Sequence, residues 1–196
     1  VLFRSCFPCV AGKYQNESGK GNCIFCPPNT YNVESNQTLC ISCTAGKASE
    51  EGATFCAACD AGKYMHNSVC ESCPAGWSSI YGQSECTECP KGTYANAAEN
   101  ATACTLCPAG KHGNASLVAA ERLTEETACA KCGKGTYSSA KGVADAAGCN
   151  NCPPGKYSSD EGNKDASNCI ECAANTFQAD AGQTSCNPCG DATASL

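Results

Sequence analysis

The side chains in this chain best able to do chemistry are its 22 cysteines. All of them fall in Cys-x-x-Cys pairs, at 6/9, 23/26, 40/43, 56/59, 70/73, 86/89, 104/107, 129/132, 149/152, 169/172 and 186/189. Such pairs support three chemistries: a redox centre where each pair closes on itself, a zinc site where two pairs supply four thiolates, or a disulfide scaffold where different pairs are cross-linked. Eleven pairs make five zinc sites and a remainder, and the Pro-x-Gly-x-Tyr sequel to Cys152 is no zinc signature, so no metal and no cofactor is expected.

Other chemistry is thinly supplied. His66 and His112 are the only histidines, and neither a His-Glu-x-x-His motif nor a Gly-x-Ser-x-Gly elbow occurs, so no enzyme is expected. His112 stands in a slot that other units give to an aromatic, which points to packing. Asp160-Glu161-Gly162-Asn163-Lys164-Asp165 is acidic but lacks the alternating oxygen ligands of a calcium loop. The single Trp77 lies beside a turn and reads as packing, and the recurring Gly-Lys pairs have no phosphate-loop spacing.

What positions the cysteines is a repeat. Loops of 10 to 21 residues separate successive pairs, the signature of an array whose units contact their neighbours. Three residues after the second cysteine stands Gly12, Gly46, Gly62, Gly76, Gly92, Gly110, Gly135 or Gly155, with Asn29 and Asn175 in the remaining full units. Both residue types tolerate positive φ, so a turn is required there. Pro27, Pro74, Pro90, Pro108 and Pro153 follow the cysteine directly and predict a type I turn. Five residues on come Tyr14, Tyr31, Tyr64, Tyr94, Tyr137, Tyr157 and Phe177, rings expected to cover disulfides. A second turn-former precedes the next pair by four residues at Gly19, Asn36, Gly52, Gly82, Asn100, Asp145, Asp165 and Gly182.

These signals predict a small disulfide-rich fold: an elongated tandem array of short two-stranded, loop-rich cysteine modules with little regular secondary structure. One continuous array runs over 1–196, in about ten units near 9–26, 26–43, 43–59, 59–73, 73–89, 89–107, 107–132, 132–152, 152–172 and 172–189. The longest loop, Cys107 to Cys129, predicts a short helix over 117–123 capped by Ser116, read as a surface excursion. The chain opens almost directly into a pair and is read as an excerpt of a longer one. The last unit departs from the pattern at Ala192 and Ala194.

Composition agrees. Leu, Ile, Val and Phe number 21 of 196 residues, too few to offset conformational entropy with an ordinary core, whereas cysteine at 22 passes the share that marks a disulfide scaffold. Stability then requires an oxidising compartment, so the chain is expected at the cell surface or secreted. No run of apolar residues is long enough to span a membrane. The net charge of −6 makes nucleic acid an unsuitable partner.

Three pairings remain open at this level. In a ladder, the second cysteine of each pair bonds the first of the next: Cys9–Cys23, Cys26–Cys40, Cys43–Cys56, Cys59–Cys70, Cys73–Cys86, Cys89–Cys104, Cys107–Cys129, Cys132–Cys149, Cys152–Cys169 and Cys172–Cys186. Cys6 and Cys189 would then need partners outside the chain. Interleaved bonding joins first to first and second to second, and local bonding closes each pair on itself. The ladder is the leading expectation.

The run Cys-Pro-x-Gly-(Lys/Thr)-Tyr followed by Gly-x-(Ser/Thr)-x-Cys-x-x-Cys, seen from Cys89 to Cys107 and Cys152 to Cys172 with Asn100 and Asp165 in place of the second Gly, resembles the ephrin-receptor-like cysteine-rich repeat and the related growth-factor-receptor modules. It is also similar to the tandem Cys-x-x-Cys repeats of protist surface proteins. The resemblance implies an extracellular rod of small modules. Cys129-Ala-Lys-Cys132-Gly-Lys is similar to a zinc knuckle, but one such match among eleven pairs does not carry a metal site.

Sequons occur at Asn16, Asn36, Asn100 and Asn114, all in loops, and predict N-linked glycans; loop hydroxyls offer O-linked positions. The expected role is an extracellular structural protein, a glycosylated disulfide-stapled rod that associates with itself or with other proteins of a coat or filament. The alternative is a ligand-binding or adhesion ectodomain of a receptor, with the long loop as first candidate for the binding surface.

Overall fold

The computed structural model describes residues 8–67 and 69–190. Among these residues the strands form ten separate two-stranded sheets and no larger one. Each hairpin is built from the repeat itself. Its first strand holds the residues four and five after a cysteine, as in Lys13–Tyr14, and its second is the dipeptide inside the next Cys-x-x-Cys, as in Ile24–Phe25. The register places Tyr14 opposite Ile24, Tyr31 opposite Ile41, Tyr137 opposite Asn150 and Tyr157 opposite Ile170. Most strands are two residues long; the longest, Lys63–His66 with Val69–Ser72, has four in each strand. No helix among the described residues is long and apolar enough to cross a membrane.

Disulfides close each hairpin at its base. Cys9 is bonded to Cys23, Cys26 to Cys40, Cys43 to Cys56, Cys59 to Cys70, Cys73 to Cys86, Cys89 to Cys104, Cys107 to Cys129, Cys132 to Cys149, Cys152 to Cys169 and Cys172 to Cys186. Sulfur takes the place of a core. Cys26, Cys73, Cys89, Cys107, Cys132 and Cys152 are fully buried, whereas Ile24, Ile41, Leu106 and Ile170 remain exposed. The hydrophobic cluster at the long loop consists of Cys107, Ala128 and Cys129, with Tyr94 packed against it, so here the aromatic slot does cover a disulfide.

The turn after each disulfide carries a positive φ at its third residue, for instance 80° at Gly155 and 63° at Asn29. The residue that follows donates its N–H back across the turn, Thr30 to the Pro27 carbonyl and Lys156 to the Pro153 carbonyl, both at 3.1 Å. That is the type II pattern, and it corrects the type I expectation: proline occupies the first position of the turn, leaving the third free to be left-handed.

Successive loops are tied backbone to backbone. The turn residue donates to the carbonyl six residues beyond the second cysteine of the next pair: Gly12 to Asn32, Asn29 to Ser49, Gly62 to Ser79, Gly110 to Ser138, Gly135 to Ser158 and Gly155 to Gln178, at 2.8–2.9 Å. The later turn donates back to a cysteine carbonyl, as Gly52 to Cys26 and Gly162 to Cys132, both at 2.8 Å. The chain divides into two compact units, Val1–Thr87 with Glu99–Ala103 and Glu88–Ala98 with Cys104–Leu196. This same bonding recurs inside each.

Two local expectations are corrected. Asp145 and Asp165 are not turn residues; each has extended backbone and caps a 3-10 turn, Ala146–Gly148 and Ala166–Asn168, while Gly142 and Gly162 supply the left-handed φ. Nor does Ser116 cap a helix over 117–123. The long loop forms a 3-10 turn at Ala119–Glu121 and then a single α-turn at Glu125–Ala128, which Thr124 caps by accepting the Thr127 N–H.

Candidate functional site

The described cysteines other than Cys189 are spent in cross-links. Cys129 and Cys132, the pair similar to a zinc knuckle, are bonded to Cys107 and Cys149, which leaves no thiolate there for a metal. Cys189 is an exposed free thiol, and Cys6 lies outside the described residues, as do Ala192 and Ala194. Among the described residues no group of three or more His, Cys, Asp or Glu side chains is placed to hold an ion.

The two histidines have local partners. His66 is exposed, stacks on Tyr64 with ring centroids 5.8 Å apart, and lies 2.8 Å from the Glu71 carboxylate. His112 sits opposite Ala130 in its hairpin with Nδ1 2.9 Å from the Gly113 carbonyl. The acidic stretch Asp160–Asp165 folds around Asn163, whose buried amide donates to the Thr136 and Asp160 carbonyls and to Ser158 Oγ. Asp165 accepts from the Ser167 hydroxyl and backbone N–H, and these two bonds, the side-chain one foremost, hold its carboxyl below the usual carboxylate range. Trp77 shares a shallow groove with Tyr64, Pro74 and Glu85.

The sequon asparagines differ in setting. Asn16, Asn36 and Asn100 are exposed. Asn36 and Asn100 are also the left-handed residues of their turns, with φ of 61° and 56°. Asn114 is half-buried, its Oδ1 accepting the Ser116 N–H at 3.2 Å.

The sequence model of the family described as tyrosine-protein kinase ephrin type A/B receptor-like matches residues 2–36, 76–116 and 155–195. This chain belongs to the ephrin-receptor-like family. The stretches between these matches carry the same hairpins and disulfides, among them Lys47–Ala48 with Ala57–Ala58 and Thr136–Tyr137 with Asn150–Asn151. No curated protein shows significant similarity to the chain. Membership in a disulfide-stapled repeat family fits an extracellular domain.

Three features of this ephrin-receptor-like chain escaped sequence reasoning. One is the slot six residues after each buried cysteine, where Asn32, Ser79, Ser138 and Ser158 are buried. Ser79 Oγ donates to the Lys63 carbonyl at 2.8 Å and Ser49 Oγ to the Thr30 carbonyl at 2.9 Å, so these two hydroxyls pin one hairpin to the next, whereas Ser138 Oγ has no hydrogen-bond partner among the described residues. The recurrence of Ser and Asn at this spacing was the available signal. A second is Arg122, 3% exposed in the long loop, which donates to the Leu117 and Cys89 carbonyls and to Glu88 Oε1. The third is a groove formed by three successive modules, from Pro28 to Cys70, lined by Phe55 and Val69.

Proposed function

We propose that this chain is a continuous extracellular structural array, a glycosylated, disulfide-stapled component of a cell-surface coat or filament that works by holding its shape. The supporting observation is the loop-to-loop bonding from turn residue to neighbouring backbone, Gly135 N–H to the Ser158 carbonyl at 2.9 Å being one instance. With such bonds at Gly12, Asn29, Gly62, Gly110, Gly135 and Gly155, each beside a disulfide, rigidity is built in module by module and needs no central core. Self-association and N-linked glycans belong to this reading, with O-linked glycans a further option on the loops; catalysis does not. Electron microscopy of native material tests it: regular polymers are expected, and isolated molecules standing on a membrane would reject it.

A second reading is supported by exposed apolar side chains that the fold does not require. It makes the chain a ligand-binding or adhesion ectodomain. The matched family takes its description from a receptor, and Phe55 and Val69 stand 68% and 58% exposed beside a groove. Microscopy of the same material separates the two.

A further inference from the structure

The groove in the first compact unit measures about 740 Å³ and is lined by Ala48, Phe55, Ala57 and Val69 together with Glu50 and Glu51. Phe55 and Val69 each immediately precede the first cysteine of a pair. At the equivalent position other repeats carry Asn22, Glu85, Asn168 and Ser185, so the hairpin and its disulfide form without an apolar group there. An exposed aromatic ring beside an exposed valine therefore answers to something other than folding, since such surface raises the risk of aggregation unless a partner covers it.

Charge narrows the partner. Glu50 and Glu51 are both exposed, no Lys or Arg lines the groove, and among the described residues neither carboxylate has an ion-pair partner. We propose that this groove docks a basic peptide segment of a partner protein, one that sets a branched or aromatic side chain against Phe55 and Val69 and flanking Lys or Arg groups against Glu50 and Glu51. The apolar contact supplies affinity and the carboxylates select the charge of the partner. This rests on the adhesion reading; if it fails, the coat reading stands, because microscopy decides that separately.

The test is fluorescence titration of the full chain with short synthetic peptides built from Lys-Leu-Phe-Lys, Glu-Leu-Phe-Glu or Lys-Ser-Ser-Lys repeats. Only the first is expected to bind, with affinity that falls as salt is raised. Phe55→Ser, and separately Glu50→Gln with Glu51→Gln, should each weaken it about tenfold or more. Both variants alter exposed side chains, and an unchanged non-reduced mass and thermal midpoint verify their folding. Equal binding of the acidic peptide, binding indifferent to Phe55→Ser, or no binding of the basic peptide overturns the proposal. So does a concentration-dependent dimer that Phe55→Ser dissolves, which would make a second copy the occupant.

Discussion

The backbone of Gly135 lies directly against the carbonyl of Gly182, two loops further along the chain, with no room between them for a Cβ. The same approach joins Gly12 to Gly52, Gly46 to Gly82 and Gly110 to Gly162. These four turns thus touch the loop after next, and Gly12, Gly110 and Gly135 also bond to the next one.

Gly155 occupies the same turn slot with φ of 80° and has no neighbour against it among the described residues, whereas Gly135 has φ of 74° and the Gly182 backbone against it. Gly155→Ala therefore meets only the left-handed penalty, about 1–2 kcal/mol. Gly135→Ala meets that penalty plus overpacking against backbone that cannot rotate away, for a total of about 2–5 kcal/mol. Urea unfolding of the two variants separates the terms. Gly155→Asn should be milder than Gly155→Ala, because asparagine fills this slot at Asn29 and Asn175.

Arg122 holds the long loop down. Replacement by Leu strands the Cys89 and Leu117 carbonyls and removes an ion pair from a buried guanidinium, a loss of about 2–4 kcal/mol. Glu88, the carboxylate partner, is 52% exposed, and Glu88→Gln retains an acceptor in reach, so its cost should stay at or below about 1 kcal/mol after solvent screening. Chemical denaturation of both variants checks the asymmetry.

Much of this architecture is legible in the sequence because a disulfide repeat needs few residue types at fixed offsets. Glycine or asparagine three residues after the cysteine announces the turn, and the tyrosine two further on marks the first strand. The second strand is hidden inside Cys-x-x-Cys, where two residues are too few to show an alternation. The Ser and Asn slot at Asn32, Ser138 and Ser158 is hidden for another reason: its role lies in contacts between loops, which local propensity does not encode. The long loop misleads because the apolar spacing of Leu117, Ala120 and Leu123 suits a helix, but so short a helix has too few bonds of its own. The tether at Arg122 and the cap at Thr124 set its shape instead.

The ladder pairing is expected to hold in solution. Proteolysis without reductant should release Cys152 joined to Cys169; fragments joining Cys149 to Cys169 would instead mark interleaved bonding. Removing one bridge by paired Cys→Ser substitution should cost about 2–5 kcal/mol. Cys107–Cys129 spans 22 residues and Cys59–Cys70 spans 11, so loop entropy alone makes the former worth about 0.6 kcal/mol more.

Asp165 ties local stability to acid. Its carboxyl is held below the range of an unfolded aspartate by the Ser167 hydroxyl and N–H. The stabilisation is fully present above the unfolded value and is lost as pH falls through the lower, folded one. A carbon-detected pH titration should show Asp165 titrating below a model aspartate, with the Ser167 amide signal moving at the same midpoint. Asp165→Asn should keep a capping acceptor while removing that titration.

Glycan removal needs care at the two turn sequons. Glycosidase treatment of secreted protein is expected to lower its mass in steps assignable to Asn16, Asn36, Asn100 and Asn114, with Asn114 the least completely modified because it is half-buried. The usual substitution by Gln would confound the result at Asn36, whose φ of 61° disfavours a longer side chain by about 1–2 kcal/mol. Glycine fills the equivalent turn at Gly19, Gly52, Gly82 and Gly182. Asn36→Gly should therefore delete one glycan with no destabilisation from turn strain, while Asn36→Gln deletes the same glycan and also lowers the melting temperature. At Asn100 the contrast recurs, because the Asn100 backbone carbonyl fills the space beside Gly62 and that turn must keep its shape. If both substitutions destabilise equally, the attached sugar rather than the turn holds the loop.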